Sequence, residues 1–232
     1  VLSVIAMVPA TPVLVPELVG AAAVEIAGLR DAVLAAVGGL PRRWLAVGVG
    51  PDDAVYGPEC TGTFAGYGVD IPVALGPGPV GEPVELPLCA LIAGWIRGQA
   101  APDAAAEIEV EVHTFAAAHP VGAALAHGRT LRARIDESPD PIGVLVVADG
   151  LHTLTPAAPG GHLPDSVATQ QDLDDALATG DLAALAELPD SVLGRVGYQV
   201  LAGLAEPAPG SAHELYRGAP YGVGYFVGEW LP

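Results

Sequence analysis

The stretch Val1-Leu2-Ser3-Val4-Ile5-Ala6-Met7-Val8-Pro9-Ala10-Thr11-Pro12-Val13-Leu14-Val15-Pro16-Glu17 decides the fold class. A nearly continuous apolar run from Val1 to Val8 predicts a strand buried on both faces, which is the habit of parallel sheets covered by helices. From Pro16 the period changes: Leu18, Ala22, Ile26, Leu29, Val33 and Val37 recur at helical spacing. Pro16 and Glu17 suit the start of that helix and Gly38-Gly39 its end. Leu45 to Val49 then predicts a second buried strand, which empties into Gly50-Pro51-Asp52-Asp53. Both loops leave the carboxyl ends of strands, where open α/β sheets place their ligands.

The same alternation continues outward. Cys60 to Gly81 is rich in Gly and Pro around a strand-like Ile71 to Leu75, and it is too apolar to be disordered. Leu88 to Ile96 predicts a helix, Glu107 to Phe115 a half-exposed strand, and a further helix resumes at about Val121. Ile142 to Ala148 is the clearest strand, a β-branched run that empties into Asp149-Gly150-Leu151-His152. Leu173 to Leu188 and Val192 to Leu204 read as helices, and Gly222 to Val227 as a closing strand. Together these predict one α/β domain over residues 1-232, with a central largely parallel or mixed sheet flanked by helices.

Composition limits the partners. With 232 residues, 51% of them hydrophobic, the chain can bury one sizeable core. All nine basic residues are Arg and the net charge is -18, so a phosphate-binding basic patch cannot be assembled and nucleic acid is not expected. No apolar run approaches the ~18 residues of a membrane span, which predicts no membrane partner. Cys60 and Cys89, without a charged leader or cleavage pattern, do not suggest a disulfide framework, and a reducing cytoplasm is the expected location.

The loop from Val8 to Glu17 resembles the first metal loop of class III extradiol ring-cleavage dioxygenases and their Memo-like relatives. In that family a strand is followed by Pro-His-Pro-Pro-Leu-Leu and then by a Pro-Glu that opens a helix. Gly50-Pro51-Asp52 is similar to the family's second, Ser-Pro-His-like turn. Ala148-Asp149-Gly150-Leu151-His152-Thr153-Leu154-Thr155-Pro156 resembles its catalytic histidine loop. Gly122-Ala123-Ala124-Leu125 and Thr179-Gly180-Asp181-Leu182 extend the likeness over most of the chain. The resemblance implies the catalytic-subunit fold of these enzymes, a small-molecule cleft, and a tendency to form dimers.

It also implies an iron site whose ligand positions have changed. Non-haem Fe(II) of this kind takes two neutral imidazoles and a carboxylate. The matching positions here are Ala10, Asp52 and a site near Asp190 or Ser191. No metal or other cofactor is therefore expected, and Asp52 becomes a ligand only if an atypical site exists, where carboxylates would favour a hard cation. His152 stands at the family's acid/base position, a role suited to an imidazole titrating near neutral pH. Its plain alternative is a turn-capping or loop-bonded histidine.

The expected ligand cleft comprises Thr11, Asp52, Asp53, Tyr56, His152 and His162, and its ligand is small, aromatic or carbonyl-containing. Cys60 is a candidate nucleophile if His152 and Asp52 serve as base and orienter; its alternative is a small buried thiol. His113, His119, His127 and His213 form no local zinc signature and read as ordinary surface or boundary histidines. Tyr216, Tyr221, Tyr225, Phe226 and Trp230 concentrate aromatic area that closes the core or anchors a homodimer. The leading expectation is a divergent binding protein or pseudoenzyme that has lost Fe(II)-dependent ring cleavage. The alternatives are metal-independent His/Cys catalysis, a dioxygenase with an atypical metal site, and an interaction subunit.

Overall fold

Nine strands organise the described residues: β1 (Leu2–Val8), β2 (Arg43–Gly50), β3 (Ala54–Tyr56), β4 (Thr61–Thr63), β5 (Pro72–Ala74), β6 (Glu109–Ala116), β7 (Ile142–Val147), β8 (Ser211–Gly218) and β9 (Tyr225–Leu231). The structure is a computed structural model that describes residues 1–20, 24–79, 81–100, 105 and 107–232. Seven strands form one sheet in the order β3-β6-β2-β7-β1-β9-β8, and β4 and β5 pair separately. Neighbours among β6, β2, β7 and β1 are parallel, while β3, β9 and β8 join antiparallel. The fold is therefore α/β with a mixed central sheet.

Register fixes where a site can form. Val8 lies opposite Val147, Val147 opposite Gly48, and Gly50 opposite Ala116. The carboxyl ends of four parallel strands thus share one edge. Along β1, β2 and β7 alternate residues feed two cores, as a pleated strand requires. Ile5, Met7, Leu45, Val47, Val144 and Val146 face one core, and Ala6, Val8, Ala46, Leu145 and Val147 the other.

Among the described residues the sheet is covered by the α-helices α1 (Pro16–Val19), α2 (Ala27–Val37), α3 (Leu88–Gly98), α4 (Val121–Asp136), α5 (Ser166–Thr179), α6 (Leu182–Ala186) and α7 (Arg195–Leu204). Residues of α2 and α3 pack into the second core, and those of α4, α5 and α7 into the first. The α4–α7 contact is unusually close. A Cβ at Gly128 would stand 2.1 Å from the Val200 carbonyl oxygen, and one at Gly203 2.1 Å from that of Leu125. Among the described residues no helix is long and apolar enough to cross a membrane.

The differences from the sequence-based expectations have local causes. The helix expected to run continuously from Pro16 ends at Val19, because Gly20 takes φ +53°, a conformation that an L side chain resists; Ala22 lies outside the described residues. The helix expected over Leu173 to Leu188 is two. Gly180 caps α5 in the left-handed region and the Asp181 carboxylate caps α6, accepting the Ala184 N–H at 3.0 Å. The helix expected from Val192 starts at Arg195, since Leu193 and Gly194 donate their N–H groups to Gly150 and Asp149 instead. Strand β8 went unpredicted because its edge position leaves His213, Glu214 and Leu215 exposed, so no apolar run marks it.

Candidate functional site

The loop after β7 is the most firmly held part of the carboxyl edge. Gly150 N–H donates to Gly224, Gly224 N–H to Leu151, and Leu154 N–H to Gly222. The Gln170 carboxamide from α5 accepts the Leu151 N–H at 2.8 Å and donates to Asp174 at 2.8 Å. Tyr198 of α7 donates its hydroxyl to the Ala148 carbonyl at 2.9 Å. Backbone held from three sides in this way gives its side chains fixed positions.

Asp149 occupies the centre of this edge. Its Oδ1 accepts the Ala10 N–H at 2.8 Å, tying the loop after β7 to the loop after β1. Protein surrounds the carboxyl on nearly every side, although the residue keeps partial solvent exposure. Loss of hydration disfavours the ionised form and outweighs the Ala10 hydrogen bond, pushing the pKa up to about 7. Beside it, the hydroxyls of Thr11 and Tyr225 are 3.1 Å apart, and burial raises Tyr225 to about 12. A carboxyl poised near neutrality in an otherwise uncharged recess can hold or release a proton at physiological pH.

His152 lies three residues farther along the same loop. Its ring packs on Gly160, where a Cβ would come within 2.7 Å of Nε2 and Cδ2. Its Nδ1 is buried without a hydrogen-bond partner. Leaving such an atom unpaired costs ~1–3 kcal/mol, so a turn-capping role through Nδ1 does not describe it. His162 is exposed, and its backbone bridges to Leu154, forming the far arm of the same loop.

The remaining expected residues fall into separate places. Thr11 is buried in the recess with Tyr225. Asp52 is exposed, and its backbone carbonyl accepts the Thr114 hydroxyl at 2.9 Å. Tyr56 is half-buried on β3 with its pKa raised, chiefly by burial. Cys60 directs its thiol to Glu59 at 3.7 Å and packs against the second core. Burial and the Glu59 carboxylate both raise its pKa, the reverse of what nucleophile activation needs. Cys89 is buried at about 12 for the same first reason. The structure therefore does not bring Cys60 to His152 as a nucleophile–base pair.

The loop after β1 offers a metal no imidazole. Ala10 presents only its methyl, and its N–H is committed to Asp149. Among the described residues, the cluster with metal-ligand spacing is a different one: Asp53, His119 and His127, whose donor atoms lie within 4.8 Å of one another. His119 Nε2 stands 2.7 and 2.8 Å from the Asp53 carboxylate oxygens. The Ala116 N–H donates to Asp53 at 2.9 Å, and it is the largest cause of that carboxyl's lowered pKa, ahead of His119. Expecting ordinary surface histidines missed this grouping, because His119 follows β6, His127 lies on α4, and the pairing of β6 with both β2 and β3 carries Asp53 to them. Asp149 was missed too, although a carboxylate ending the most apolar strand was a readable signal.

A cavity of about 640 Å³ lies away from both clusters, between α5 and α6, with Asp172, Asp175, Asp181 and Glu187 in its walls.

The chain is an α/β protein with a mixed central sheet, and polar residues gather at the carboxyl edge of that sheet. No family model and no curated protein matches it. Among solved structures, it is similar over 99% of its length to the whole of an uncharacterized protein of Escherichia coli K12, JW3007, with a TM-score of 0.55 and 13% identity. That likeness concerns the fold.

Proposed function

We propose that the chain is a divergent relative of the class III extradiol dioxygenases that no longer cleaves rings with Fe(II), and that it binds a small aromatic or carbonyl-bearing molecule at the carboxyl edge without a metal. The observation that carries this reading is the Asp149–Ala10 bond. Where the family resemblance calls for an iron-binding imidazole, a neutral methyl and a near-neutral carboxyl stand instead. A protonated Asp149 can donate to a ligand carbonyl or phenolate oxygen, and the Thr11–Tyr225 pair supplies two more hydroxyls close by. The orphaned His152 Nδ1 is a further partner for such a ligand.

A second reading, acid–base turnover by Asp149 and His152, is favoured by the pKa of about 7 at Asp149. Cys60 has no part in it, given its protonated thiol and its Glu59 partner. Both readings are tested with catechol, protocatechuate and benzaldehyde as probes. Oxygen uptake after anaerobic Fe(II) loading should not exceed that of Fe(II) alone. At least one probe should shift the His152 ring resonances saturably, and Asp149→Asn should weaken that shift. Iron-dependent oxygen uptake abolished by His152→Ala would sink the metal-free reading, and an unchanged His152 spectrum with all three probes would sink the retained cleft. Conversion of a bound probe, lost in Asp149→Asn, would select turnover over binding.

A further inference from the structure

We propose that Asp53, His119 and His127 form a binding site for one divalent first-row transition ion of the imidazole-preferring kind, Zn²⁺ and Co²⁺ being its simplest probes. Two imidazoles and one carboxylate are the donor set that such ions take with coordination positions left over. The three residues come from the loop after β2, the turn after β6 and helix α4, so they converge only in the folded chain.

Each donor is held from behind. The Ala116 N–H fixes the Asp53 carboxylate, and the Thr114 hydroxyl binds the neighbouring Asp52 and Ala54 carbonyls. The Arg195 guanidinium clamps the turn that carries His119, donating to the carbonyls of Ala117 at 2.8 Å and His119 at 3.2 Å. The His127 ring lies against Phe115 with centroids 4.9 Å apart, and its centroid is 5.0 Å from that of His119. Such outer contacts orient metal ligands and raise affinity.

The fit needs little movement. An ion ~2.1 Å from each donor places the donors about 3–3.5 Å apart, against 2.7 Å for the present Asp53–His119 contact and no more than 4.8 Å for any pair in the cluster. Side chains exposed by 46% at Asp53 and 22% at His119 can rotate by that amount, and they leave an open side for water or a ligand. The net charge of -18 draws cations toward the surface.

This site is separate from the Asp149 recess, and the test keeps the two apart. The chain of residues 1–232 is dialysed against Zn²⁺, and separately against Co²⁺, whose visible spectrum reports nitrogen ligation. Wild type and His213→Ala, a change at an exposed histidine on β8, should each retain about one equivalent. His127→Ala and Asp53→Asn should weaken retention at least ~10-fold, with their circular dichroism unchanged. Folded wild type that retains no ion, or retention equal in His127→Ala and wild type, overturns the site. Retention lost instead in Asp52→Ala and His152→Ala overturns it and the metal-free recess together.

Discussion

Asp149 and Asp53 end neighbouring stretches of one sheet edge, each accepts a backbone N–H, and yet their carboxyls respond in opposite directions. Asp149, bound to Ala10 N–H, is raised to about 7, whereas Asp53, bound to Ala116 N–H and His119, is lowered. The hydrogen bond is common to both, so it does not decide the sign. Desolvation does, because it leads at Asp149 and is outweighed at Asp53, whose side chain is 46% exposed. One edge thus carries a proton-holding recess and a charged, cation-facing corner.

The largest test of this contrast is the pH dependence of stability. Below the ordinary carboxyl value of 3.8 both states of the chain keep the Asp149 proton. Between 3.8 and about 7 the native state keeps it while the unfolded chain has released it, so stability falls as pH rises and levels off above that window. At ~1.4 kcal/mol per unit, Asp149 alone removes up to about 4 kcal/mol. Asp174, raised to about 6 chiefly by burial, adds a loss of the same sign. Urea unfolding from pH 4 to pH 8 should therefore show Asp149→Asn gaining on wild type as pH rises. Parallel curves would mean that Asp149 ionises normally and that the contrast is wrong.

A smaller effect is expected at Gln170. Replacing it with Ala strips the Leu151 N–H and the Asp174 carboxyl of their partner and should cost ~2–3 kcal/mol. Denaturation of Gln170→Ala at pH 5, where Asp174 is protonated, measures this; a loss below half a kcal/mol would show that the loop after β7 is held by its backbone bonds alone. The smallest effect belongs to the exposed corner. Asp53→Asn should change stability by less than ~1 kcal/mol, most of it present above pH 4 and lost as pH falls through the lowered folded value. A larger loss would make Asp53 a structural anchor and bring the two carboxyls closer in kind.

Much of this architecture was legible in the sequence, because a strand buried on both faces needs a continuous apolar run and a covering helix needs a 3.6-residue period. Ile142 to Ala148 and Leu88 to Ile96 read correctly for that reason. Tyr225 and Phe226, adjacent on β9, alternate faces and enter different cores. Edge strands and paired clusters were not legible. β8 has too little buried surface to imprint a pattern, and the Asp53–His119–His127 grouping depends on the pairing of β6 with β2 and β3, which no local spacing encodes. Cys60 read as a nucleophile candidate because sequence proximity to Asp52 and Tyr56 said nothing about Glu59, which takes its thiol.

The bare-backbone contact between α4 and α7 reaches beyond stability. Gly128 adjoins His127 on α4, and α7 carries the Arg195 that grips the turn of His119. The gap between the two helices is therefore also a gauge that spaces one imidazole from the other. Gly128→Ala would act as a shim, moving His127 outward while leaving all three donor side chains chemically unchanged. In this protein the reach between histidines is inherited from helix spacing, so drift at two buried glycines could retune an outer corner that neither of them touches.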